Sequence, residues 1–189
     1  MAKDADQIVV ASSGAVYVAP VGTAINTDPA GSLSATWREL GYVTEEGVTF
    51  SDSPDVGGIP AWQAAGDVRK LVNSRARSVS TTFEQWNDAT FPTVFGGGSW
   101  SALGGGKYKF SPPADTASLD VKSLVVDWVD GSRHFRLHVQ KFSATGGIET
   151  QLIRTGAAVL PFTGEILVPD SGDAYNLYSD DPVFAEGGS

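Results

Sequence analysis

Cysteine is absent from the 189 residues, which removes disulfide staples, thiol nucleophiles and thiolate-based zinc sites from consideration. Histidine is nearly absent, His134 and His138 being the only two. Four positions apart, they would pair on a helix, but on a strand they stand roughly 13 Å apart, too far to share one ion. Both read as surface polar residues. Charged residues make up 19% of the chain, below the ~25% usual for a soluble domain, which suits a surface partly covered by neighbours. Positive charge is in deficit, with 13 basic against 22 acidic residues and a net charge of -9. A protein that grips nucleic acid needs clustered Lys and Arg, so tight DNA binding is not expected. Long hydrophobic runs are missing too: the apolar stretch from Ala157 to Phe162 is far short of the ~20 residues of a spanning helix. The start, Met1 to Gln7, carries acids where a signal peptide would be basic and then apolar.

What is present is globular. Apolar residues form 41% of the chain, with five Trp, nine Phe and five Tyr, and a chain of this length fits one domain that buries roughly 70% of its unfolded surface. Short alternating or β-branched runs divided by Gly, Pro, Asp and Ser read as strands. They fall at Ile8–Val10, Ala15–Pro20, Glu39–Val43, Val48–Ser51, Asp67–Val72, Ala76–Trp86, Lys107–Phe110, Leu119–Val129, Arg133–Ser143 and Ala158–Leu167. This pattern predicts a mainly β fold, an antiparallel sandwich or partial barrel. The clearest unit is a hairpin through Asp130-Gly131, where Asp-Gly supplies the positive φ of a tight turn. In its second strand Phe135, Leu137 and Val139 share the core face, while His134, Arg136, His138 and Gln140 share the face toward solvent or a partner. One short flanking helix is expected over Asn87–Gly96, starting as late as Pro92 because proline disfavours helical geometry before it. Ile25–Ala35, Ser51–Gly66 and Pro169–Ser189 read as loops or arms. The second of these exceeds ordinary loop length, as functional or disordered loops do, and Ile59 and Trp62 within it favour a docked loop over a freely mobile one.

Catalytic signatures do not emerge. The runs Gly96-Gly97-Gly98 and Gly104-Gly105-Gly106-Lys107 lack the Gly-Lys-Ser/Thr ending of a phosphate loop and read as a flexible linker. Asp127 with Asp130, or Glu45 with Glu46, form no acid pair that spacing distinguishes from chance. No serine has a nucleophile-elbow context. The chain is therefore expected to be non-enzymatic, without cofactor or metal. The densest positive cluster, Arg69, Lys70, Arg75 and Arg77, lies where two predicted strands meet at Asn73-Ser74 and reads as a solvated turn or as charges that pair with acids on an adjoining subunit.

Three segments in order, Trp37 to Phe50, Val79 to Asn87 with Phe83 and Trp86, and Phe95 to Gly98, resemble the major tail tube proteins of long-tailed, siphovirus-type bacteriophages, especially those of actinobacterial hosts. Gly14 to Pro20 fits the same pattern, and the resemblance spans roughly residues 10 to 165. It implies a virion protein, made in the bacterial cytoplasm, whose subunits form hexameric rings stacked into a tail tube. The implied partners are other copies of itself, a tape measure protein, a tail terminator, a distal tail protein, and DNA in transit. It further implies that residues 1–14 and 169–189 act as arms of a single domain spanning 1–189. The 51–66 loop would contact the next ring through Asp52, Pro54, Asp55, Val56, Ile59, Pro60 and Trp62. The alternative is a carbohydrate- or receptor-binding β module of a baseplate or adhesin, in which some of the five Trp would form a stacking platform.

Overall fold

Apolar runs punctuated by turn residues give ten strands and one helix in the computed structural model, which describes residues 5–187. The strands are β1 (Ser13–Pro20), β2 (Arg38–Glu39), β3 (Val43–Pro60), β4 (Asp67–Phe83), β5 (Ser99–Gly104), β6 (Lys107–Ser111), β7 (Val121–Asp130), β8 (Arg133–Ala144), β9 (Leu160–Ile166) and β10 (Tyr175–Ser179). Helix α1 (Thr90–Val94) lies between β4 and β5.

Eight strands form one antiparallel sheet in the order β2-β1-β7-β8-β9-β4-β3 with β10 paired to β8, and β5 and β6 form a separate hairpin. One edge of β8 is divided: Phe135–Val139 pair with β10, and Phe142–Ala144 pair with β9. Past that seam the sheet folds over, so that Val16, Val18, Leu124, Val126, Leu137 and Val139 share a core with Val79, Phe83, Leu160 and Phe162. The result is mainly β and antiparallel, in keeping with a sandwich, and its strands do not close into a barrel.

Period-two alternation places Tyr17, Ala19, Val125, Arg136 and His138 on the other face of β1, β7 and β8. Much of that face is not left to solvent: residues 21–37 of the same chain cover it, packing Trp37, Ile25 and Leu33 over Ala19 and Val125, while His134 and Gln140 at its ends stay part-exposed. Arg136, 2% exposed, holds the cover down. Its guanidinium donates to both carboxylate oxygens of Asp127 and to the carbonyls of Asn26, Asp28 and Gly31, all at 2.7–2.9 Å. His138 is buried beneath the same cover, edge-on to Trp37, and is not the surface residue that its spacing suggested.

Several boundaries differ from the sequence reading. Ile8–Val10 is not a strand, although Val10 N–H donates to Asp130 and Ser12 N–H to the Val129 carbonyl. Gly41, at φ 89°, breaks the expected strand Glu39–Val43 into β2 and the start of β3. Asp67–Val72 and Ala76–Trp86 merge into one strand, β4, which ends at Phe83, short of Trp86, with Asn73 bulged out between Val72 and Ser74. The helix is limited to Thr90–Val94. Pro92 falls in its first turn, where an amide has no helical acceptor to lose, and Asn87 Oδ1 accepts from the amides of Ala89 and Thr90 at 2.8 Å. The glycine runs are not a flexible linker. Gly104, Gly105 and Gly106, all at positive φ, turn β5 into β6. The C-terminal arm contains β10 and a 3₁₀ turn at Pro182–Gly187, while Met1–Asp4 and residues 188–189 of the two expected arms lie outside the described residues.

Candidate functional site

The segment 51–66, expected to be irregular, is the outer half of a long β-hairpin. β3 and β4 stay paired from Phe50 opposite Val79 out to Pro60 opposite Asp67, whereas β9 supports β4 only over Ser78–Phe83. Beyond Ser51 and Ser78 the two strands form an unsupported ribbon that extends about 33 Å at 3.3 Å per residue. Residues 61–66 make its tip. Val56, Ile59, Val68, Leu71 and Val72 on the ribbon are all exposed, as is Trp62 at the tip. A lone two-stranded ribbon is marginally stable in water, and apart from cross-strand neighbours such as Val56 opposite Val72 its apolar side chains join neither core cluster of the described residues.

The ribbon is anchored at its root. Asp52 Oδ2 accepts from Arg77 Nε at 3.0 Å and Arg75 Nη1 at 3.3 Å, and Tyr175 of β10 reaches it through its hydroxyl. Tyr175 also packs edge-on against Phe50 and lies under the Arg77 guanidinium. Burial in this crook raises the Asp52 carboxyl pKa, but hydrogen bonding and charge from Arg77 and Arg75 outweigh it, so the net shift is downward. Of the four cations singled out in the sequence, Arg75 and Arg77 are thus engaged within the chain. Arg69, opposite Ile59, and Lys70, opposite Gly58, have no ion pair among the described residues. Asp55 accepts from the bulged Asn73 at 3.3 Å.

At the base of the β7–β8 turn, Arg133 ties both chain ends to the body. It pairs with Asp130 and Asp181 and donates to the Ile8 carbonyl. Nearby, Asp180 accepts from His134 through backbone and side chain at 2.7 Å, and these bonds hold its carboxyl below the usual range.

A second surface feature was not legible in the sequence. Trp86, Phe91 of α1, and Trp100 and Tyr108 of the β5–β6 hairpin line a cleft of about 530 Å³. Phe91 forms its floor, with ring centroids 5.1 Å from Trp86, 5.2 Å from Trp100 and 5.3 Å from Phe110. Lys107–Phe110 was read as a strand, but its partner Trp100-Ser101-Ala102, masked by the flanking glycines, was not.

Among the described residues no group of three or more His, Asp or Glu is placed to hold a metal ion, and no helix is long and apolar enough to cross a membrane. No curated protein matches the chain. A family model described as phage tail tube protein matches residues 1–188, and the chain, mainly β and antiparallel, belongs to that family of tail tube structural proteins.

Proposed function

We propose that copies of this chain close into hexameric rings and that the rings stack into the conduit through which phage DNA leaves the virion. The observation that carries this reading is the ribbon: a pair of strands standing clear of the body with five apolar side chains in water. Such a surface is an aggregation liability in a free subunit and an adhesive one in an assembly. Two strand edges support lateral closure. Among the described residues the outer edge of β3 has no partner, and β1 is covered by β2 only at Tyr17 and Val18. Edge pairing between neighbours extends the sheet around a ring, and cyclic symmetry stops it from continuing indefinitely.

In this reading the ribbon residues Pro54, Asp55, Val56, Ile59, Pro60 and Trp62 face the adjacent ring, with Arg69 and Lys70 meeting its acids, while Asp52, expected among them, is instead engaged at the ribbon root by Arg75, Arg77 and Tyr175. The net charge of -9 gives a wall that repels the phosphate backbone, so DNA passes without being held. Tape measure, terminator and distal tail proteins are the partners such a tube requires at its core and ends. Negative-stain electron microscopy of the purified chain at rising concentration, with light scattering on the same sample, tests the proposal. Hollow rings with sixfold projections and tubes are the expected result. Particles that remain monomeric at every concentration, or rings of another symmetry, contradict it.

A further inference from the structure

Trp62 is the most exposed large apolar side chain among the described residues, at 98%. It sits at the ribbon tip between Ala61 and Gln63, followed by Ala64 and Ala65, so small side chains leave the indole projecting. A tryptophan that docks removes about 150–250 Å² from water, and nothing in its own subunit offers that burial.

The aromatic cleft has the complementary form. Its floor is set by the ring stack around Phe91, and its rim residues Trp86, Trp100 and Tyr108 are all partly or largely exposed. Its volume of about 530 Å³ lies within the range of sites that enclose a ligand of several rings. Charge is complementary in part: Arg69 and Lys70 near the tip and the exposed Glu84 beside the cleft have no ion pair among the described residues, whereas Asp88 is already paired with Arg38.

Position excludes docking within one chain. The tip precedes the first residue of β4 and Trp86 follows its last, and the strand's 17 residues span roughly 55 Å at 3.3 Å each. Tip and cleft are therefore opposite ends of one element. A contact between two different patches at opposite ends is heterologous and propagates along a line rather than closing a dimer.

We infer that Trp62 of one copy inserts into the Trp86–Trp100–Tyr108 cleft of a second copy in the adjacent ring, which rests on the stacked-ring reading above. Truncation of a central aromatic anchor weakens an interface strongly, so Trp62→Ala raises the concentration needed for tube formation about tenfold or more, with an unchanged monomer. Tyr108→Ala acts in the same direction, and the double variant is little worse than Trp62→Ala alone because both remove one contact.

The cysteine-free chain permits a direct test with Trp62 retained. Gln63→Cys combined with Ser101→Cys, oxidised in assembled tubes, gives a ladder of covalent oligomers on a non-reducing gel. Gln63→Cys combined with Ser171→Cys, on the opposite side of the fold near His138, gives none. Tubes that form normally from Trp62→Ala, or that cross-link through Ser171 and not Ser101, overturn the docking and leave the tube intact. A wild-type chain that forms no ring or tube overturns the stacked-ring reading, and the docking falls with it.

Discussion

β4 is one strand in two environments. From Ser78 to Phe83 it is flanked by β3 and β9 and sends Val79 and Phe83 into the core, and from Asp67 to Arg77 it has β3 alone and no side chain fully buried. Both stretches carry apolar residues. What separates them is whether the burial that makes a strand stable is supplied by the same chain or has to come from another. Stability and assembly are thus assigned to different halves of a single element, so substitutions in one half are readable without the other.

The largest effect belongs to the body. Phe83, with no exposed surface, packs on Phe162, and Phe83→Ala is expected to lower monomer stability by about 3–5 kcal/mol in chemical denaturation. Arg136→Met leaves the Asp127 carboxylate without its guanidinium partner and three carbonyls without donors. A loss of about 3 kcal/mol is expected, together with faster amide exchange across residues 21–37. A smaller change would mean that the cover is held by Trp37 alone.

Acid sharpens the contrast further. Burial pushes His138 below its ordinary value, so the unfolded chain takes up this proton before the folded one does. The contribution is complete above the ordinary histidine value of about 6.5 and is lost as pH falls below it, with a slope of at most about 1.4 kcal/mol per pH unit. His138→Phe is expected to flatten denaturation midpoints between pH 7 and 5. Asp52 is also depressed, but its window lies lower: its contribution is present above the ordinary carboxylate value of about 4 and is lost as pH falls through the folded value beneath it. The body thus loosens before the ribbon root does.

The smallest effects are expected on the ribbon and at the surface. Ile59→Ser changes monomer stability by no more than about 0.5 kcal/mol while reducing tube yield by sedimentation. If it destabilises the monomer as a core substitution does, the division of β4 is wrong. Arg38→Ala removes an exposed ion pair with Asp88 and should alter the denaturation midpoint by less than about 1 kcal/mol.

The body was legible from sequence because its signals are local. Alternation through Phe135, Leu137 and Val139 and the Asp130-Gly131 turn gave β7 and β8 nearly to their ends, although Gly131 alone carries the positive φ, at 62°. Only half of the ribbon was legible: Asp67–Val72 and Ala76 onward read as strand, but in β3 Pro54, Gly57, Gly58 and Pro60 demote a strand in any local reading. They are tolerated since β3 is an edge: a proline there forfeits no ladder bond on the side that has no partner. Tyr175 was hidden within an acidic, glycine-rich segment, and its role depends on Phe50 and Arg77, far away in sequence. Trp37 and His138 were assigned to no common feature, since covering the second face is a tertiary event with no periodic signature.

The seam on β8 bears on how the chain reaches this state. Leu137 pairs with Leu177 along one half of that edge, and β1 enters the same sheet only by lying beside β7, with Val16 opposite Val126. Pairings this remote in sequence require large loops to close before they yield any stabilisation, which slows folding. During synthesis the Phe135–Val139 edge emerges well before Tyr175–Ser179 can cover it. A newly made subunit therefore passes through an interval in which an interior strand is exposed as an edge, and premature pairing between nascent chains at that edge competes with completion of the sheet.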